Sequence, residues 1–128
     1  MQYKYFYGAQ AEQFSFYRIP KALFTEPNFR ELSTDAKVLY GILLDRMSLS
    51  LKIQWLDAQN KVYIIFTVEE IMDALNCANQ KATRLMVELE KQAGLIERKR
   101  QGLGRPNLIY VKNFAATIND KSCEKGDS

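Results

Sequence analysis

Two short runs of the chain hold side chains suited to meeting a polyanion. The first, between residues 79 and 91, contains Asn79, Gln80, Lys81, Thr83, Arg84, Val87 and Lys91. The second, between 98 and 105, contains Arg98, Lys99, Arg100, Gln101, Gly102, Gly104 and Arg105. Arginine pairs bidentately with guanine in the major groove, Asn and Gln with adenine, and a Thr or Val methyl can meet the thymine methyl. Paired glycines let a backbone turn sharply and approach a partner closely. Cations gathered around them suit a phosphate or minor-groove contact. The bland reading of the first run is a solvated polar face, which any surface helix has; the second run is more basic than a hairpin loop needs. Residues 79–112 hold eight Lys/Arg against three Glu, a local +5, while the remaining residues sum to −2. That unevenness, rather than the overall +3, is what steers a polyanion.

Other chemistry is poorly supplied. The chain has no histidine, which removes Ser-His-Asp and Cys-His nucleophile systems and most zinc sites together. Gly102-Leu103-Gly104 lacks the third glycine of a dinucleotide fingerprint and no P-loop occurs. Glu69, Glu70 and Asp73 cluster where a helix dipole accounts for them. Cys77 and Cys123 lie far apart without metal-ligand companions. We expect no enzyme, no metal and no cofactor.

The elements that would position the two runs have local signals. Thr67 and Glu70 have capping-box spacing. Val68, Ile71, Met72 and Leu75 then mark one face of a two-turn helix. Asn76-Cys77-Ala78 is a tight turn, with Asn76 able to take the left-handed conformation. A second helix follows from about Asn79, with Ala82, Leu85, Met86, Leu89 and Ala93 inward and Gly94 at its end. Residues 95–100 and 107–111 read as strands around the Gly-rich loop 101–106. Helix, turn, second helix and basic hairpin make an α+β winged helix-turn-helix, whose second helix lies in the major groove of double-stranded DNA. Thr67, at a helix N-terminus, is a further candidate for a phosphate.

The rest reads as support. With 128 residues and 47% hydrophobic content the chain can bury one core. Residues 1–18 form an aromatic arm in which Tyr3, Tyr5 and Tyr7 share strand parity, as do Phe14 and Phe16. The arm either packs over its own domain or makes dimer contacts on a partner subunit. The winged domain spans residues 19–114. Pro20 opens a short helix over 21–24 and Pro27 closes it. Ser33 caps a helix over 34–48 with Ala36, Leu39, Tyr40, Leu43 and Met47 on one stripe. Val38, Ile42 and Leu44 make it apolar nearly all round, as a central helix would be. Strands are expected at 53–56 and 62–66, joined by a turn at 57–60. Residues 115–128 are a polar tail or linker to a further C-terminal domain. No apolar run is long enough to cross a bilayer and no signal-peptide core is present, so a cytoplasmic, reduced protein is expected.

The motif order is itself specific. Residues 16–23 (FYRIPKAL) and 32–46 (LSTDAKVLYGILLDR), followed by 63–70, 75–89 and 94–106, resemble the N-terminal domain of the plasmid replication initiator protein A family. Its members occur on plasmids of Gram-positive bacteria, staphylococcal multiresistance plasmids among them. The similarity covers roughly residues 14–113. The resemblance implies binding to iterons, the short direct repeats of a plasmid origin, by a homodimer. It also implies dimers of dimers that pair origins to limit copy number, and a C-terminal domain like those of DnaD-type primosome proteins that recruits host replication proteins. Ala78 departs from the Ser or Thr cap common before a recognition helix. The alternatives are a winged-helix transcriptional repressor and a winged-helix protein-interaction module.

Overall fold

The computed structural model describes residues 2–115; Cys123 and most of the polar tail lie outside them. After a short helix α1, Ala22–Thr25, a 3-10 turn at Pro27–Phe29 leads to the long helix α2, Thr34–Lys52. Then come α3 (Val68–Leu75), α4 (Asn79–Val87) with a π-helical last turn (Glu88–Gln92), and the antiparallel strands β1 (Ile96–Lys99) and β2 (Leu108–Val111). Ile96 pairs with Val111 and Lys99 with Leu108, so the hairpin loop begins at Arg100.

α2 starts where the Ser33 hydroxyl accepts the Ala36 N–H at 3.2 Å. It is central to the core, burying Ala36, Leu39, Tyr40, Ile42 and Leu43 against α4, its π-helical turn and β2. Tyr40 is 2% exposed and its hydroxyl donates to the Lys112 carbonyl at 2.6 Å. Burial pushes this phenol up to about 12.

α2 runs four residues beyond the expected Ser48 and takes in Leu49 and Leu51. Ser50 is buried within this extension, 1% exposed, and its carbonyl accepts the Trp55 N–H at 2.9 Å, which turns the chain after the helix. The expected strands at 53–56 and 62–66 therefore shrink to two isolated bridges, Leu56 with Val62 and Ile64 with Ile109. Asp57 holds the turn between them by accepting the N–H groups of Gln59 and Lys61 at 2.8 and 2.9 Å.

The arm does not pack over the domain. Its rings, from Tyr3 at 86% to Phe14 at 52%, stay exposed, and it forms a 3-10 turn at Gln10–Gln13 instead of strands. Phe6 meets Phe14 edge-on at 6.0 Å, and Phe14 meets Phe16 at 6.3 Å. The root is fixed where Ile19 crosses α2 at Gly41: a Cβ there would sit 2.8 Å from Ile19 Cγ1 and 3.0 Å from the Arg18 carbonyl oxygen. Overpacking of this kind costs about 1–3 kcal/mol, more than the ~0.5–1 kcal/mol that alanine gains over glycine in a helix. Gly41→Ala is expected to loosen the arm root, read as faster tryptic cleavage after Arg18 with the helical circular dichroism retained. Unchanged cleavage would mean that Gly41 is not what holds the crossing close.

Candidate nucleic-acid interface

α3 begins with the capping box expected from its sequence. Thr67 Oγ1 accepts the Glu70 N–H at 3.2 Å, and the Glu70 carboxylate accepts the Thr67 N–H at 2.9 Å. Asn76 ends α3 in the left-handed conformation, φ 56°, and Cys77 tucks half-buried into the turn as a free thiol. α4 starts at Asn79 with no side-chain cap on Ala78. Ala82, Leu85 and Met86 face inward, and Gly94, φ +68°, turns the chain toward β1.

With that stripe buried, the other side of α4 is turned out. Asn79, Gln80, Thr83, Arg84, Val87 and Lys91 are all exposed. Lys81 is half-buried, and its ammonium lies 2.7 Å from Asp35, which ties α4 to the first turn of α2. On the hairpin, Lys99, Arg100, Gln101, Gly102, Gly104 and Arg105 are exposed. Gly102 and Gly104 take φ +125° and +78°, the turn conformations their type permits. Gln101 Nε2 donates to the Pro106 carbonyl at 2.8 Å across the loop, and Leu103 stands at the tip fully exposed.

The two runs meet. A cleft of about 400 Å³ is lined by Thr67, Glu69, Asn79, Met86, Arg98 and Arg105. The start of α3, the start of α4 and the hairpin thus face one concavity.

Two expected contacts need correction. Thr67 has no donor to offer a phosphate, because its N–H and its hydroxyl, 3.3 Å from the same carboxylate oxygen, are both taken up by Glu70. Arg98 is not at the loop tip. Its Nε and terminal nitrogen each lie 2.8 Å from Glu90 Oε1, and its backbone N–H reaches Oε2 at 3.2 Å. The side chains of Arg98 and Glu90 are 24% and 16% exposed, so this pair anchors the hairpin to α4.

Burial acts to raise the Glu90 carboxyl, but the hydrogen bonds and charge of Arg98 outweigh it and hold the group below its ordinary value. A carboxylate depressed in the folded state stabilises above its unfolded value, about 4.3, and that stabilisation disappears as the pH falls through the folded value. Glu90→Gln is expected to destabilise the neutral-pH protein by about 1–2 kcal/mol and to flatten this acid limb. Urea unfolding between pH 3 and 7 reads both; equal slopes for variant and parent would remove the pair from the account.

Neither this pair nor the π-helical turn that holds Glu90 is legible in the sequence. In that turn the Ala93 N–H bonds to the Glu88 carbonyl, five residues back. Glu88 accepts both the Ser33 N–H and its hydroxyl, and Gln92 donates to the Glu31 carbonyl at 3.3 Å. Such widened turns occur often at functional sites; this one fastens the end of α4 to the start of α2. Among the described residues, Arg84, Lys91, Lys99, Arg100 and Arg105 form no ion pair, and no group of three or more His, Cys, Asp or Glu could hold a metal.

Comparison with known proteins agrees with this architecture. The model of the family described as replication initiator protein A (RepA) N-terminus matches residues 15–125. A "41 kDa protein" of Lactobacillus helveticus is 30% identical over 103 residues, which is 80% of this chain and 28% of that protein. The chain therefore spans little more than a quarter of that relative's length. Among solved structures, "N-Terminal domain of DNA binding protein" superposes with TM-score 0.73 at 38% identity, covering 94% of this chain and 91% of that one. "Structure of Rep-DNA complex" gives 0.73 at 37%, covering 92% and 90%. "Structure of MDR initiator" gives 0.70 at 40%, covering 92% and 93%. By the extent of the family match, the chain belongs to the replication initiator protein A (RepA) N-terminus family.

Proposed function

We propose that this domain binds double-stranded DNA in a plasmid origin and there initiates replication. The observation that supports this most is that the start of α4, at Asn79, and the hairpin, at Arg105, line one cleft, beside an exposed face of α4 that carries Gln80, Thr83 and Arg84. Gln80, Thr83 and Arg84, with Asn79 at the helix start, read base edges in the major groove. Lys99, Arg100 and Arg105 engage the backbone or minor groove beside it, with Lys91 on the flanking phosphates. Lys81, held by Asp35, orients the helix and reads a base only if that exposed pair opens. Iteron repeats are the target, bound by a homodimer whose arms supply Tyr3, Tyr5, Tyr7, Phe14 and Phe16; dimers of dimers pair origins. The host replication machinery is recruited by a separate C-terminal domain, and the protein acts in the cytoplasm. Among the described residues no helix is long and apolar enough to cross a membrane.

Fluorescence anisotropy with a labelled iteron duplex tests the binding. Each phosphate contact contributes about −0.9 to the log–log salt slope, so the four cations unpaired among the described residues and assigned to the backbone, Lys91, Lys99, Arg100 and Arg105, predict a slope of about −3.6 for one protomer. Salt-independent binding, or equal affinity for a scrambled duplex, would count against the reading. The ligand-responsive repressor has one observation in its favour, a largely apolar cavity of about 830 Å³ between α2 and the hairpin's rear.

A further inference from the structure

The basic hairpin carries at its tip a side chain that cannot meet a phosphate. Leu103 is 100% exposed, whereas the other large apolar side chains described beyond the arm reach at most 58%. A lone leucine at a surface is ordinary; the setting of this one is not. It stands between two cations, Arg100 before it and Arg105 after it, neither of which forms an ion pair among the described residues.

The backbone beneath Leu103 is held. The Arg105 N–H donates to the Gly102 carbonyl at 3.3 Å, and Gly104, φ +78°, takes the third position of a type II turn. Leu103 is therefore at the second position, and Gln101 closes the base of the loop on the Pro106 carbonyl at 2.8 Å. Glycine on either side leaves the tip as bare backbone with a single isobutyl group projecting from it. That profile fits a minor groove about 6 Å wide; three side chains abreast would make a broader tip. Cations to either side can take the phosphates that border the groove, while the apolar group reaches past them to the bases. Leucine is one of the side chains that minor-groove proteins insert between base steps.

From this we infer that Leu103 is a wedge: it enters the minor groove, unstacks one base step and kinks the duplex toward the major groove. The inference rests on the DNA-binding reading above and adds a deformation of the origin to it. Arg105, two residues from the leucine, lines the cleft shared with the start of α4, so the kinked step lies beside the segment that α4 reads. Pyrimidine–purine steps kink and unstack most easily, so the wedge also selects sequence at a step where no side chain hydrogen-bonds to a base. A step already unstacked opens at little further cost, which serves a protein that starts replication.

Bending and unstacking are measured on the same complexes of the whole chain. Duplexes with the repeat at different distances from their ends give the bend by gel mobility. The fluorescent base 2-aminopurine, placed at successive positions along the repeat and its flank, brightens where stacking is lost. The parent is expected to bend the duplex by about 20–90° and to brighten one step. Leu103→Ala is expected to lose most of both, with the salt slope unchanged because no cation is removed; Leu103→Phe keeps both. Exchanging a TA or CA step at that position for a purine–purine step is expected to weaken the parent about five-fold or more and to leave Leu103→Ala unaffected. A specifically bound but straight duplex, or a bend that survives Leu103→Ala, would overturn the wedge and leave the DNA-binding reading standing. No binding to any duplex by anisotropy would remove both. An intact bend with lost cooperativity between two adjacent repeats would set the leucine against a neighbouring protomer, which also overturns the wedge.

Discussion

Arg84→Ala is expected to weaken binding to the specific duplex about 5- to 150-fold, the equivalent of ~1–3 kcal/mol for one bidentate base contact. The melting temperature should not move. Arg84 is exposed, makes no ion pair among the described residues, and stands one and two turns from Gln80 and Lys91 on the outward side of α4. Its loss should also relax discrimination at a single base position, because a group that reads one base edge cannot be replaced by phosphate contacts. Lys99→Ala behaves differently in this scheme. It would weaken all duplexes alike and flatten the salt slope by about 0.9. Titrations against the iteron and against a set of single-position variants distinguish the two.

The neighbouring substitution has the opposite signature. Leu85→Ala is expected to cost about 2–5 kcal/mol of folding stability, a large part of the ~5–15 kcal/mol a domain has in total. Leu85 is fully buried between α4 and the core formed by α2 and α3. At roughly 4–8 °C per kcal/mol for a domain of this size, its melting temperature should drop by at least about 8 °C. Whatever fraction remains folded should keep the parental sequence preference, since the side chain faces away from the cleft. Thermal unfolding by circular dichroism and anisotropy below the transition check the two halves. A change of specificity with little loss of stability would mean that α4 is rotated from the orientation described.

That Arg84 faces outward and Leu85 inward is legible in the sequence, because the i, i+3, i+4 stripe Ala82-Leu85-Met86-Leu89 fixes which side of α4 is buried. The capping box at Thr67 and Glu70, left-handed Asn76 and Gly94 were legible for the same reason: each is a local backbone requirement met by a particular residue type. What failed were features settled by residues distant in sequence. The strand expected at 53–56 is displaced by α2, which runs on to Lys52 with Ile53 as its C-cap, leaving only Leu56 bridged. Val62 to Phe66 has strand composition, but only Ile64 finds a partner on the short β2. Arg98 looked like one more cation of the loop until Glu90, on the far side of the Gly94 turn, was seen to hold it. The hydroxyl of Thr67 looked available for the same sort of reason, although its own cap consumes it. Residue type indicated charge; geometry decided which charges are free.

The central claim is that α4 and the hairpin face the same duplex, and tethered DNA cleavage measures it directly. A cleavage reagent is attached to cysteine at Gln80 in one sample and at fully exposed Leu103 in another, with Cys77 and Cys123 replaced by serine in both. Discrete cuts are expected from both positions within about one helical turn, ~10 bp, of each other on the iteron duplex, the first set across the major groove and the second across the adjacent minor groove. Cuts from position 80 alone, or unlocalised cleavage from position 103, would contradict it.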